Sequence, residues 1–464
     1  MKRIIVMALL CAASPLRAAT QLTFDGALRR ALEVNNQVEQ SRQEIDVAEA
    51  NRSFLLSAVM PKISATGNLQ RNSIERSFGS GADKEIILPR NNWDYRIVLS
   101  QPVFAGRREL RAYSQAKLGI VNAREGTRGT EDATLLRVAS SFLALVNADA
   151  RVDVEKKNIE LAERRRSQAE AFYKAGEVTK VDILRAETAV KAAQRVLASV
   201  EQARANAESD LRAALDLNEA IDAVAPDHRL PPVPDEAILI HHAEQSRPDV
   251  NVAENNLKIA NLEVSKQRGF WLPTISFDGG LLNQKSPFPA ANYKYGALRF
   301  TVPIFQSGEV LARVAGAKAK EEEAKLSLET SRINAREDVR TALSALHAAE
   351  TSLGLAREQF TAAEAEYAQS FELYRAQETT SLDLATSEAS LADARRAVAE
   401  ETLNRDLAEL RVWYAAGDIK TAVGVPAQTG TLRIPSEARE TKGLVRHSEI
   451  LRSAQDDVKG VTNQ

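Results

Sequence analysis

The sequence predicts an internally duplicated, mainly α-helical chain that also carries membrane β-strands, four per chain. Three observations predict this: two long proline-free stretches with helical spacing, two pairs of alternating apolar–polar segments between prolines, and a repeat that relates the two halves.

The helices come first. No proline occurs between Pro102 and Pro226, or between Pro303 and Pro426. Both stretches are rich in Ala, Glu, Arg and Leu, which favour helix. Leu135, Val138, Phe142 and Leu145 recur at steps of three and four and so share one helical face. The spacing predicts long helices over 107–173 and 308–374, each about 100 Å at 1.5 Å rise per residue. Shorter helices are expected over 35–60, 180–216, 247–272 and 381–416, with still shorter ones at 24–33 and 236–246. Two of the shorter helices placed end to end match one long helix, which gives a wall of even height.

The strands lie between the prolines. Ile63, Ala65, Gly67 and Leu69 alternate with Lys62, Ser64, Thr66 and Asn68. Tyr95, Ile97 and Leu99 alternate with Asp94, Arg96 and Ser100, and the same pattern recurs at Ile275–Leu281 and around Leu298 and Phe300. This is strand periodicity, apolar on one face and polar on the other. Strands are expected at about 62–70, 93–102, 274–282 and 294–303. Their length suits a tilted membrane crossing. Polar loops around 70–91 and 282–292 make each pair a long-looped hairpin.

The repeat fixes the organisation. Pro61-Lys-Ile-Ser returns 212 positions later at Pro273-Thr-Ile-Ser, and Gln101-Pro-Val-Phe104 returns 201 positions later at Val302-Pro-Ile-Phe305. The second offset also relates Tyr173-Lys-Ala-Gly-Glu to Tyr374-Arg-Ala-Gln-Glu and Val181-Asp182 to Leu382-Asp383. The domain reading follows: a first repeat over 19–225, a proline-rich linker at 226–235, and a second repeat over 226–418. Residues 1–18 read as a signal peptide, with Lys2 and Arg3 before the apolar run Ile4–Ala13 and a cleavage site after Ala18. No other helix reads as long and apolar enough to cross a bilayer. The tail, 419–464, has no clear period and is expected to be disordered.

Four spanning strands cannot close a barrel, and an open edge cannot face lipid, so the chain must oligomerise through these hairpins. A dimer would give eight strands around a narrow, filled lumen; a trimer would give twelve and room for a channel. Lys62, Arg96 and Arg299 fall on the polar strand face as lumen candidates. Phe104, Trp271 and Phe305 flank strand ends as candidates for an interfacial aromatic belt.

Chemistry is sparse. The net charge of −2 offers no footprint for nucleic acid. The only cysteine, Cys11, lies inside the leader. No phosphate-binding glycine loop, metal-ligand spacing or nucleophile motif occurs, so neither an enzyme nor a cofactor is expected. His241-His242 would point to different sides of a helix and makes a poor metal site.

Signal peptide, strand hairpins, long helices and duplication, taken in this order over about 24–416, resemble the TolC family of outer-membrane efflux proteins. Tyr173-Lys-Ala-Gly-Glu-Val-Thr-Lys-Val-Asp-Ile-Leu-Arg-Ala-Glu187 looks like that family's helix turn at the periplasmic tip, and the junctions at Gln101–Gly106 and Val302–Gly308 are similar to its strand-to-helix passages. The resemblance implies a trimer with a twelve-stranded β-barrel and a coaxial α-helical barrel. It implies a passive exit duct through the outer membrane lipid, extending into the periplasm and coupled through a periplasmic adaptor to an inner-membrane transporter. It places the aperture at the tips, with Tyr374 hydrogen-bonding Asp182 to hold the closed state and Asp383 in an acidic ring. Thr379 stands where the family has arginine, Thr386 where it has a second acid, and Gln377 where the first tip has Gly176. Gly176, Glu177, Gln377 and Glu378 are the implied adaptor contacts. Asp182 and Asp383 also suit plain helix capping. The rival reading is a periplasmic structural coiled coil without a pore.

Overall fold

A computed structural model describes residues 20–79, 81, 85–224, 230–285 and 291–425. The expected signal peptide and the part of the tail from 426 on lie outside the described residues. The chain divides after Val423, and the fold below is that of the unit ending there.

The first half runs β1 (Thr20–Leu22), α1 (Phe24–Val34), α2 (Asn36–Ser57), β2 (Lys62–Arg71), β3 (Arg76–Phe78), β4 (Glu85–Leu88), β5 (Asn91–Ala105), α3 (Arg108–Lys174), α4 (Lys180–Ala214) and β6 (Ile221–Ala223). The second half runs α5 (Glu236–Ser246), α6 (Pro248–Arg268), β7 (Thr274–Gln284), β8 (Asn292–Thr301), α7 (Glu309–Arg375) and α8 (Ser381–Ala415), followed by α9 (Ile419–Ala422). Both long helices, α3 and α7, have 67 residues.

α3 is the spine. Leu135, Val138, Phe142 and Leu145 are fully buried on its inner face. Phe24 of α1 meets Phe142 edge-on at 5.4 Å between ring centroids. α3 packs against α1, α2 and α4 of its own half and against α6 and α8 of the other. This explains a departure from the sequence reading: α3 contains a window apolar enough to pass as a membrane span, with a mean hydropathy of 1.2. The buried part of that window, 39% of it, packs on the helices around α3.

Helix ends follow local chemistry. α2 and α6 stop at Ser57 and Arg268, short of the expected 60 and 272; after α6 the chain tightens into a 3-10 turn over Gly269–Trp271, and only Leu272, directly before Pro273, is extended. β1 and β6 pair in parallel, tying the two ends of the first repeat together, which the sequence did not suggest. The loop at 70–91 contains the small hairpin β3–β4. The tail is also corrected at its start: α9 is a helical turn with Ile419 fully buried. Lys420 Nζ anchors it to α3, 2.5 Å from Glu131 and 3.5 Å from Asp132.

The central sheet has the order β2-β5-β7-β8, antiparallel throughout. β5 passes Pro102 with a register shift and runs on to Ala105, because Phe104 and Ala105 have partners in β7. β8 stops at Thr301 rather than 303, because its partner β7 begins at Thr274, which pairs with Thr301. Where the sheet meets the helices, Gly106 and Gly269 touch back to back. A Cβ on Gly106 would lie 2.2 Å from the Gly269 carbonyl oxygen, and Gly106 also has φ 65°. Only glycine permits that approach.

Candidate functional site

The register sorts the sheet into two faces. Lys62 pairs with Ser100, Ser100 with Asp278 and Thr66 with Arg96, while Arg299 pairs with Ser276. The three cationic candidates, Lys62, Arg96 and Arg299, therefore share one face. Asp278 organises part of it, accepting from Ser100 Oγ at 2.8 Å with Arg299 3.6 Å away. Arg96 pairs with Asp94 at 3.3 Å. The opposite face carries Ile63, Leu69, Ile97, Leu281, Leu298 and Phe300. All are exposed, with Ile63 at 74% and Leu298 at 71%. Water does not tolerate a patch of this kind, so something apolar must cover it.

At the strand ends, Phe305 is exposed, Trp271 is half exposed, and Phe104 is half-buried opposite Ile275. Sequence reasoning missed Phe270. The guanidinium groups of Arg108 and Arg313 lie over its ring, 4.4 Å and 4.9 Å from the centroid, so residues from the starts of both long helices meet on one aromatic.

The helical hairpins turn at 175–179 and 376–380. Gly176 has φ 80°, and Gln377, its counterpart, takes φ 63°. The turns close alike: Glu177 N–H donates to Phe172 O and Glu378 N–H to Leu373 O, both at 2.9 Å. Glu177 and Glu378 are exposed on the outside of the turns.

Asp182 and Asp383 each complete a capping box. Asp182 Oδ2 accepts from Thr179 N–H at 3.1 Å and Thr179 Oγ at 2.8 Å. Asp383 Oδ2 accepts from Thr380 N–H at 3.2 Å, Thr380 Oγ at 2.6 Å and Thr379 Oγ at 3.0 Å. The Thr380 and Thr379 bonds hold the Asp383 carboxyl below its usual range. Thr379 thus braces an acid where the resemblance implies an arginine.

The Tyr374–Asp182 hydrogen bond does not form in this chain. Tyr374 is buried against Phe172 at 5.5 Å, and its hydroxyl has no hydrogen-bond partner among the described residues. Burial, with the nearby Asp182 charge, pushes that hydroxyl's pKa up. Asp182 is instead taken by a residue the sequence reading passed over: Ser381 Oγ donates to Asp182 Oδ1 at 2.5 Å, joining the two tips. That bond, ahead of those from Thr179, lowers the Asp182 pKa. Within the chain, Asp182 is therefore held by Ser381 and not by Tyr374. We expect Tyr374→Phe to leave single-channel conductance and melting unchanged, since it deletes an unpaired group. Ser381→Ala should raise conductance in planar bilayers.

Two charged pairs between the halves were also not foreseen. Arg165 Nη1 lies 2.8 Å from Glu388 Oε2 with both side chains nearly sequestered, though off the hydrogen-bond direction. Arg396 Nε donates to the buried Glu155 at 2.6 Å. Both straddle α3 and α8. Nothing in a single periodic pattern marks such pairs, because the partners are distant in sequence. As for metal, His242 Nδ1 sits 3.1 Å from Ala416 O, and His241 Nε2 is engaged by Gln245.

An exposed apolar sheet face, a polar opposite face, two open sheet edges and long helical hairpins define a class: subunits that assemble into a membrane-spanning duct. Comparison with known sequences agrees. The outer membrane efflux protein family matches residues 27–216 and 239–418, and the chain belongs to that family. It is 23% identical to the outer membrane efflux protein BepC of Brucella suis biovar 1 (strain 1330), over 75% of each chain. It is 24% identical to the pyoverdine export outer membrane protein OpmQ of Pseudomonas aeruginosa, over 85% of each. Among solved structures, the open state of the Neisseria gonorrhoeae MtrE outer membrane channel superposes with a TM-score of 0.70 at 18% identity, covering 86% of this chain and 90% of that one. The Vibrio cholerae outer membrane protein VceC superposes at 0.72 with 13% identity, covering 85% and 96%. The protein is thus a multimeric outer-membrane channel of efflux or secretion systems, extending into the periplasm and acting with periplasmic and inner-membrane partners. It is a passive channel and not an enzyme.

Proposed function

We propose that three copies close into a twelve-stranded barrel continued by an α-helical barrel. A periplasmic adaptor then couples this passive duct to an inner-membrane transporter. The observation that carries the reading is the four-stranded sheet, with an exposed apolar face and two edge strands, β2 and β8, that have no strand on their outer sides among the described residues. Such a sheet is viable in lipid only when closed by other copies. Twelve strands leave a lumen that eight would fill.

In this arrangement Lys62, Arg96 and Arg299 face water inside the barrel. Trp271, Phe305 and Phe104 sit at the membrane interface. The tips form the aperture, with Asp182, Tyr374, Thr379 and Asp383 around it, and Gly176, Glu177, Gln377 and Glu378 meet the adaptor. The two repeats, 19–225 and 226–418, would then alternate around the axis as six similar units. The mass of the detergent-solubilised particle from outer membranes tests the reading. Three chain masses are expected, and a stable monomer would overturn it.

A further inference from the structure

We propose that the outer rim of the sheet's apolar face binds a phosphate group of an outer-leaflet glycolipid, lipid A, through Lys285 and Lys294. This rests on the barrel reading, which turns that face to lipid. The long helices mark the periplasmic end of the sheet, so the far ends of its strands lie in the outer leaflet.

The strands place the far rim. Along β5, Trp93 stands eleven residues from Phe104. That is about 36 Å of strand, or about 28 Å of depth at a barrel's tilt, against an apolar band of about 25 Å. Trp93 and Tyr95 lie side by side, 5.3 Å between centroids. Tyr95 crosses Gly67 of β2, where a Cβ would be 3.2 Å from its ring. Both rings stand on the apolar face and form a second aromatic belt, opposite the one at Trp271, Phe305 and Phe104.

Cations share this rim and anions do not. Lys294 pairs with Leu281, which sets it on the apolar face, and Asn292 pairs with Asn283 just beyond. Lys285 N–H donates to Trp93 O at 2.9 Å, so the ladder of β5 with β7 carries on to Lys285 on the same face. Arg71 ends β2 on this face too, opposite Asn91. All three cationic side chains are exposed and make no ion pair among the described residues. The only acids in the four strands, Asp94 and Asp278, lie on the polar face. An ammonium on a lipid face is costly without a counter-charge, so its stem snorkels to the rim and its head takes an anion. In the outer leaflet those anions are lipid phosphates.

Shape supplies the other half of the ligand's site. Tyr95, Ile97, Leu281, Asn283, Asn292 and Lys294 line a groove of about 320 Å³ on this face. It is apolar towards the middle of the membrane and lined by amides towards the rim. An acyl chain fits the lower part, while a phosphate meets the amides and ammonium groups above. A closed ring adds a third cation. The repeat offsets of 201 and 212 carry the pair Tyr95–Asn283 to Gly296 and Arg71 of the next copy, diagonal to Lys294.

Each basic side chain against an anionic membrane surface shifts binding by about five-fold, so two together shift it by about twenty-five-fold. The test is native mass spectrometry of the full-length protein, extracted from outer membranes in a mild detergent and titrated with lipid A. It counts chains and bound lipids together. Bisphosphorylated lipid A should bind the parent about twenty-five-fold more tightly than the dephosphorylated form. Lys285→Gln combined with Lys294→Gln should lose that preference, and Lys285→Arg with Lys294→Arg should keep it. The comparison of the two lipid forms needs only the parent, so it decides the matter even where the double Gln variant does not assemble. Equal binding of both forms, equal binding of phosphatidylglycerol, or an unchanged preference in the Gln variant would overturn the site, and a particle of three chain masses would leave the trimer standing. A monomeric particle would overturn the barrel and the site with it.

Discussion

Arg165→Met should lower the stability of the folded chain by about 3–5 kcal/mol, the usual cost of stranding one partner of a buried ion pair. Arg165 and Glu388 lie 2.8 Å apart with side chains only 10% and 12% exposed. They join α3 of one repeat to α8 of the other. Burial pushes the Glu388 pKa up, against the pull of Arg165. A carboxyl whose folded pKa lies above its unfolded value binds more protons in the folded state. Its stability contribution is therefore present at low pH and is lost as pH rises through the folded value. Without Arg165 the rise grows, so the variant's defect should be largest at neutral pH and shrink as Glu388 takes up its proton. Thermal melts of Arg165→Met across that range would show it. Arg165→Met with Glu388→Leu should recover most of the loss, because two apolar groups can replace such a pair. A single variant that melts like the parent at neutral pH would mean the pair contributes little.

Ile97→Arg should abolish heat-resistant assembly in the outer membrane, while the neighbouring change Arg96→Ile should have a small effect. The register puts Ile97 on the apolar face beside Ala65 and Leu281, and Arg96 on the polar face beside Thr66 and Leu282. A charge on the lipid face at mid-depth costs about 2–4 kcal/mol per chain, and a closed ring of copies incurs it in every subunit. Gel mobility of unheated samples from membrane fractions separates the outcomes. Equal assembly of both variants would show that these faces are wrongly assigned to lipid and lumen.

Much of this protein was legible in its sequence because its elements are periodic. Proline-free stretches fixed both long helices to within a residue at each end. Strict alternation, with the repeat, located all four strands of the central sheet and their polar and apolar faces. Period and punctuation are local properties, and a long helix or a two-faced strand expresses them directly. The capping role of Asp182 and Asp383 was legible for the same reason, since a helix start needs an acceptor within its first turn.

Other features waited on the tertiary structure because they depend on which surfaces meet. Ser381, rather than Tyr374, holds Asp182, since the α8 start brings Ser381 to the first tip while the Tyr374 hydroxyl points into apolar packing. Arg165–Glu388 and Arg396–Glu155 became pairs only when α8 lay along α3. α9 is held on α3 by Lys420 against Glu131 and Asp132 and by the buried Ile419, though its own sequence carries no helical period. The sequence by itself determined the elements, their faces and the duplication, which are set within a few residues of chain. The tertiary structure alone decided the contacts between repeats, because hydrogen bonds and buried ion pairs form at about 3 Å, a distance that no spacing along the chain specifies.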